Sequence, residues 1–279
     1  MVSAGEALAE ALGVARRGLP VFLGTQGVPV VLGAALGVAY DLAVSPAFLE
    51  LDAAVKAQDT ERAAALLAPA LGGALAVAVV GLALTMAGTT LGVFVADATA
   101  RGERLAVGQA WSRAAPRMGA VAVAGFAVGG ALLGILLAVL ALTTLSPFLS
   151  LLVFAAIPLM AYVFATWMLA FPVAALEGKG PGASLSRSAF LTAGSRGVLV
   201  LACLGALGIL LVPAVAILAA TGGFSQAAPS TGTLAARVLA TLPFNLLASF
   251  VFSSLAVHLH ARLTAERRDA EPYVPPAAP

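Results

Sequence analysis

The two histidines of the chain, His258 and His260, stand two residues apart, with Arg262 close behind. Imidazole is the commonest metal ligand and acid–base group near neutral pH. On a helix, however, an i,i+2 spacing sends the two rings to different faces, and no adjoining Cys, Asp or Glu pattern completes a tetrahedral ligand set. Anchoring at a membrane interface is the preferred role. Cys203 is the one cysteine; it lies within an apolar run and reads as a small core residue. Asp97, Glu103 and Glu177 flank apolar runs, with Arg101, Arg104 and Lys179 at hand, so ion pairing at a polar boundary is expected of them. Glu177 is the sharpest of the three because it directly follows an apolar run. The loop Gly178-Lys179-Gly180-Pro181-Gly182 is too short and proline-interrupted to cradle a nucleotide phosphate. Ser195 lacks a visible His/Asp pair that would make it a nucleophile.

A second set of polar residues is uncharged and lies inside apolar runs: Thr89 and Thr90, Thr166 beside Trp167, and Asn245 with Ser249 and Ser253. Serine and threonine hydroxyls can satisfy their own helix carbonyls, whereas the Asn245 carboxamide demands a partner from another helix or from water. Pro243, two residues earlier, weakens its helix locally. Asn245, Thr89, Thr90 and Thr166 are therefore the candidates for a polar cleft, although a packed kink with a satisfied asparagine is the favoured reading. Glu177, Arg187 and Arg196 are the candidates for an interfacial site.

The elements that must position these residues follow from hydropathy. Hydrophobic residues make up 61% of the 279 and charged ones 10%, against roughly 25% charge in a soluble domain, and the mean hydropathy is +1.03. A transmembrane helix needs about 20 apolar residues, which places spans at 19–40, 73–95, 119–142, 151–172, 198–220 and 238–258. Between Met118 and Leu176 no residue is charged, too long for one crossing, and the turn is expected at Thr143-Thr144-Leu145-Ser146-Pro147. A buried soluble domain is excluded on quantity, because such helices would have no polar face to offer water. The apolar core after Arg17 runs past the length of a signal peptide's, so the first helix is read as uncleaved.

Basic residues favour cytoplasmic loops. With both termini inside, Arg16, Arg17, Arg101, Arg104, Arg113, Arg117, Lys179, Arg187, Arg196, Arg262, Arg267 and Arg268 are cytoplasmic, and Lys56, Arg62 and Arg237 remain outside. This distribution explains the pI near 9.0 by topology and headgroup attraction, with no nucleic-acid partner. Segments 6–17, 103–117 and 181–196 read as surface helices, each feeding a hairpin. Placing Arg117 over Arg196 aligns Ala110 with Ala189, Trp111 with Phe190 and Ala114 with Ala193, which suggests three repeated units in one orientation. An external amphipathic cap is expected over 49–68, an irregular loop over 221–232, and a short proline-containing tail over 264–279 after a single membrane domain, 1–263. Gly33/Gly37, Gly88/Gly92, Gly125/Gly129 and Gly130/Gly134 carry small residues four apart, a spacing that lets helices approach closely.

One stretch carries a resemblance. Trp167-Met-Leu-Ala-Phe-Pro172-Val-Ala-Ala-Leu176-Glu177-Gly178-Lys-Gly180, followed by Ala183-Ser-Leu185-Ser-Arg187-Ser188-Ala-Phe190-Leu-Thr-Ala-Gly194, resembles the membrane region of some glycerophosphodiester phosphodiesterases and related stand-alone bacterial and archaeal membrane proteins. The resemblance implies a membrane module. It does not carry over phosphodiesterase activity, which would need the family's separate domain with metal-binding carboxylates and acid–base histidines.

The sequence thus describes an all-α polytopic membrane helical bundle with six transmembrane helices and short amphipathic interfacial helices, in a prokaryotic plasma membrane. The expected role is a non-enzymatic scaffold or accessory protein of the envelope; the alternative is a transporter or lipid-handling protein with an intramembrane polar cleft. No catalytic residue, cofactor or metal is assigned. Membrane lipids are the expected partners, together with a membrane-protein partner or a second copy of the chain. Labels at Ser3, Gly102, Pro181 and Ala270 should be reachable only from the cytoplasm, and labels at Lys56, Ser146 and Gly223 only from outside; reversed accessibility at Gly102 and Pro181 would reject this orientation.

Overall fold

A computed structural model describes residues 3–145, 152–220 and 231–268, and their secondary structure is helical. The first helix, α1 (Ala4–Ala43), opens on a capping box. The Ser3 hydroxyl accepts from the Glu6 amide at 3.2 Å, and the Ser3 amide donates to the Glu6 carboxylate at 3.2 Å. It continues through Pro20 and Pro29, which would break a helix in water but are tolerated where neighbouring helices supply the packing. α2 (Ser45–Lys56) begins with proline in its first turn. Gln58, at φ 58°, turns the chain, and the Asp59 side chain then caps α3 (Thr60–Ala100) by accepting from the Arg62 amide at 3.0 Å. α4 (Val107–Leu145), α5 (Leu152–Trp167), the single turn α6 (Ala170–Pro172), a π-helical turn (Val173–Glu177), α7 (Pro181–Thr192), α8 (Arg196–Ala220) and α9 (Thr231–Arg268) complete the order.

Five helical stretches among the described residues are long and apolar enough to cross a bilayer: Ala4–Tyr40, Thr60–Ala100, Val107–Val139, Ala155–Glu177 and Leu246–Arg267. A sixth is present if Pro181–Thr192 and Arg196–Leu210, bent by 101°, act as one span. Leu75, Leu133, Leu137, Leu201 and Leu204 stand exposed on these stretches. A belt of that kind is stable only where the solvent is hydrocarbon. The chain is an integral membrane protein with a polytopic helical bundle.

The structure corrects several boundaries. Segments 6–17 and 103–117 are not separate surface helices, because α1 and α4 run unbroken from them into the spans. Arg16, Arg17 and Arg117 mark a polar boundary, but long side chains can reach that boundary without interrupting the backbone ladder. Only α7 is set off, by Ala193 at ψ 124° and Gly194 at φ +86°. The aligned repeats therefore differ in shape and surroundings: Ala110 and Ala114 are fully buried, whereas Ala189 and Ala193 are half-buried. The expected cap over 49–68 is split, its second part being the start of α3. α9 passes through Pro243 unbroken and extends beyond 264 to Arg268. Residues 146–151, 221–230 and 269–279, which hold part of the expected turn, most of the 221–232 loop and most of the tail, lie outside the described residues.

α1 packs chiefly against α3 and α9, and α3 also against α4. At the centre the rings of Phe22 and Phe250 stack with centroids 3.9 Å apart. Burial is densest towards one end of the bundle. On α3 the run from Leu91 to Ala98 is largely buried while Leu67, Leu71, Leu75, Val79 and Val80 are exposed. The paired glycines separate by environment. A Cβ at Gly92 would stand 2.5 Å from the Ser253 hydroxyl and 3.2 Å from Phe22, whereas one at Gly33, Gly37, Gly130 or Gly134 would meet nothing within 4 Å. Gly92→Ala should therefore lower stability by about 1–3 kcal/mol and Gly130→Ala by no more than about 0.5 kcal/mol, read from thermal unfolding in detergent; equal effects would show that the α3–α9 approach is looser than described.

Candidate functional site

Two cavities among the described residues are both walled by α3 and α9, the first also by the broken α5–α6 segment and the second by the π-turn that follows it. The first is a groove of about 740 Å³. α1 contributes Gln26, Gly33 and Gly37, α3 contributes Gly81, Thr85 and Thr89, and α9 contributes Ser249 and Ser253; Phe164, Met168 and Phe171 close it from the α5–α6 side. Glycine at Gly33 and Gly37 leaves open space where side chains would otherwise fill the bundle. Along α1 the stretch from Gln26 to Gly37 rises roughly 16 Å at 1.5 Å per residue, a length that suits much of an acyl chain.

Gln26 is fully buried at the wall of this groove. Its Nε2 donates to the Gly88 carbonyl of α3, and its Oε1 has no partner among the described residues. Gly88 makes the contact possible, since a Cβ there would sit 2.6 Å from that oxygen. The expectation that Asn245 alone demands an interhelical partner overlooked Gln26. The signal was present, a carboxamide inside the first span, and has the same chemistry.

The candidate cleft residues do not all converge. Thr89 lines the groove, with its hydroxyl donating to the Thr85 carbonyl at 2.9 Å. Thr90 is buried in packing and donates to the Met86 carbonyl at 2.7 Å. The Thr166 hydroxyl returns to the Tyr162 carbonyl at 2.8 Å. Its own carbonyl accepts from the Ser188 hydroxyl at 2.8 Å and the Thr192 hydroxyl at 3.3 Å, which ties α7 to the end of α5. Asn245 lies on α9, and its side chain is outside the described residues.

The second cavity, about 680 Å³, is charged and is lined by Asp97 and Arg101 of α3, Arg113 of α4, Glu177 of the π-turn, Arg187 of α7 and His260 and Thr264 of α9. Glu177 is its hub. One carboxylate oxygen lies 2.9 Å from His260 Nε2, and the other lies 3.0 Å from Lys179 and 3.7 Å from Arg187. Asp97 holds Arg101 at 2.6 Å, and Glu103 holds Arg101 at 2.9 Å and Arg113 at 3.6 Å. Gly178, at φ +68°, ends the π-turn, and its carbonyl accepts from Arg117 at 3.4 Å. A Cβ there would be strained and would stand 2.5 Å from that guanidinium. Of the interfacial candidates, Glu177 and Arg187 meet. Arg196 instead covers the Tyr162 ring at 4.9 Å and contacts its hydroxyl.

His258 faces away from His260 and lies 3.1 Å from Glu10 of α1, which also sits 3.6 Å from Arg262. The two imidazoles are thus held by different carboxylates. Among the described residues no three His, Cys, Asp or Glu side chains group as metal ligands. Searches against family models, curated proteins and solved structures find no match for the chain.

The arrangement offers an apolar groove with a buried acceptor, next to a polar cavity rich in guanidinium groups. Gln26→Met should change stability by no more than about 1 kcal/mol. It removes an unpaired buried oxygen along with the donor, and the mid-helix Gly88 carbonyl keeps its own helix. Thermal unfolding that showed a loss of several kcal/mol would mean that Oε1 has a partner.

Proposed function

We propose that this membrane protein handles lipid, with an acyl chain held in the groove between α1, α3, α5–α6 and α9. The observation that carries this reading is the groove itself, whose walls are largely apolar and which glycines hold open. A scaffold role, the other reading of the sequence, calls for a filled bundle in the same place. In a bilayer the fluid available to fill an apolar groove is lipid tail, and threading one between helices requires a site already shaped for it.

The same reading places the chain in a prokaryotic plasma membrane with both termini cytoplasmic. Contacts among Arg117, Lys179, Arg187, Arg262 and Arg267 and their partners gather basic residues at one end. At the other end Lys56 pairs with Asp52 and Arg62 with Glu50, and this asymmetry is what the positive-inside rule requires. The resemblance to the membrane region of glycerophosphodiester phosphodiesterases fits a lipid-facing module. We assign no hydrolytic activity, because His258 and His260 lie on different faces, each against a separate carboxylate, Glu10 and Glu177.

Gly33→Leu combined with Gly37→Leu should narrow the groove, since both positions line it and a Cβ at either meets nothing within 4 Å. Native mass spectrometry of protein extracted in mild detergent should then show most of the co-purifying lipid lost, with the melting temperature retained. Undiminished lipid in the doubly substituted protein would remove the support for lipid handling and leave the scaffold reading in its place.

A further inference from the structure

The charged cavity lies one helical turn beyond the groove on the same elements. Val93 lines the groove and Phe94 the cavity on α3, Ala256 and His260 do so on α9, and Phe171 and Leu176 do so around the π-turn. Three guanidinium groups line this cavity, Arg101 from the C-terminal cap of α3, Arg113 from α4 and Arg187 from α7, with Lys179 beside them; against these stand three carboxylates, Asp97 and Glu177 in the lining and Glu103, which pairs with Arg101 and Arg113. Glu177 is shared by Lys179 at 3.0 Å, Arg187 at 3.7 Å and the His260 ring at 2.9 Å. Four basic side chains against three carboxylates leave the cluster with an excess of positive charge. Arginine presents planar, forked donors suited to phosphate oxygens, and basic pockets between membrane helices at the polar boundary recognise lipid headgroups on this principle.

We propose that the charged cavity binds the phosphate of a phospholipid whose acyl chain occupies the adjoining groove. The inference rests on the lipid-handling reading and adds the ligand's class: an amphiphile selected by its phosphate. Arg113 is best placed to change partners on binding, being half-exposed and held only by the 3.6 Å contact to Glu103 among its described ion pairs. Arg101, with carboxylates at 2.6 and 2.9 Å, acts more as a fixed wall. The apolar tail and the charged head would thus be read by separate parts of one continuous helical surface, as an amphiphile requires.

The test uses the full chain in detergent micelles, titrated with dioleoyl phosphatidylglycerol, with dioleoylglycerol, which has the same chains and no phosphate, and with glycerol 3-phosphate, which has no chains. Bound lipid is read by native mass spectrometry. Phosphatidylglycerol should bind at least about tenfold more tightly than dioleoylglycerol, and Arg113→Gln should weaken it about tenfold, while Arg62→Gln at the opposite end should leave it unchanged. Should Arg113→Gln fail to fold, Arg113→Lys keeps the charge without the fork and should weaken binding a few-fold. Equal binding of both lipids, or an Arg113 variant that folds and binds like the parent, would overturn the headgroup site while leaving the groove intact. Glycerol 3-phosphate that displaced phosphatidylglycerol at matching concentration would mark a free-phosphate site and overturn the coupling to the groove. If neither lipid binds the parent chain, the groove reading fails as well.

Discussion

A bilayer core contains no water to take up a free carbonyl or amide, so any irregularity in a membrane helix must be closed by another part of the protein. The segment from Trp167 to Pro181 shows what this demands. α5 ends, one short turn follows, Pro172 supplies no amide proton, and the backbone widens into a π-turn before Gly178 reverses it. The groups released are gathered from outside the segment: Ser188 and Thr192 bond the Thr166 carbonyl, Arg117 the Gly178 carbonyl, and Arg267 the Ala193 carbonyl at the next bend. The position of α7 follows from these bonds.

Glu177 stands where this irregular backbone leaves the apolar region. A carboxylate there is costly unless it is paired, and it is paired from three directions, by His260, Lys179 and Arg187. The pairing draws α7 and α9 together around the charged cavity. Here the π-turn places the Glu177 carboxylate at the wall of the charged cavity.

The two halves of the bundle divide the labour of packing. At the centre, Phe22 and Phe250 stack, and glycines at Gly18 and Gly92 admit side chains from neighbouring helices to distances a Cβ would forbid. Further along, Gly33 and Gly37 admit nothing, and the groove opens. Gly92 follows Gly88, and Gly37 follows Gly33, at the same four-residue spacing. Only the neighbour opposite decides whether a small residue closes a contact or keeps a space.

The sequence by itself determined the class of fold, most of the span positions and the ionic character of their ends. These depend on local quantities: the length of an apolar run, the absence of charge within it, and the nearness of Asp97 to Arg101 or of Glu177 to Lys179. It did not reveal that α1 and α4 run unbroken, because a change of polarity along a helix does not by itself end the hydrogen-bond ladder. Nor did it single out Gln26, although the residue was visible as a carboxamide in an apolar run, since its significance lies in the Gly88 carbonyl sixty-two positions away and an oxygen left unpaired. Thr89 and Thr90 show the limit most clearly. They are adjacent and chemically identical, yet one faces the groove and the other is packed, because facing is set by how whole helices rotate against one another. That choice is a sum over many distant contacts, and tertiary structure alone decides it.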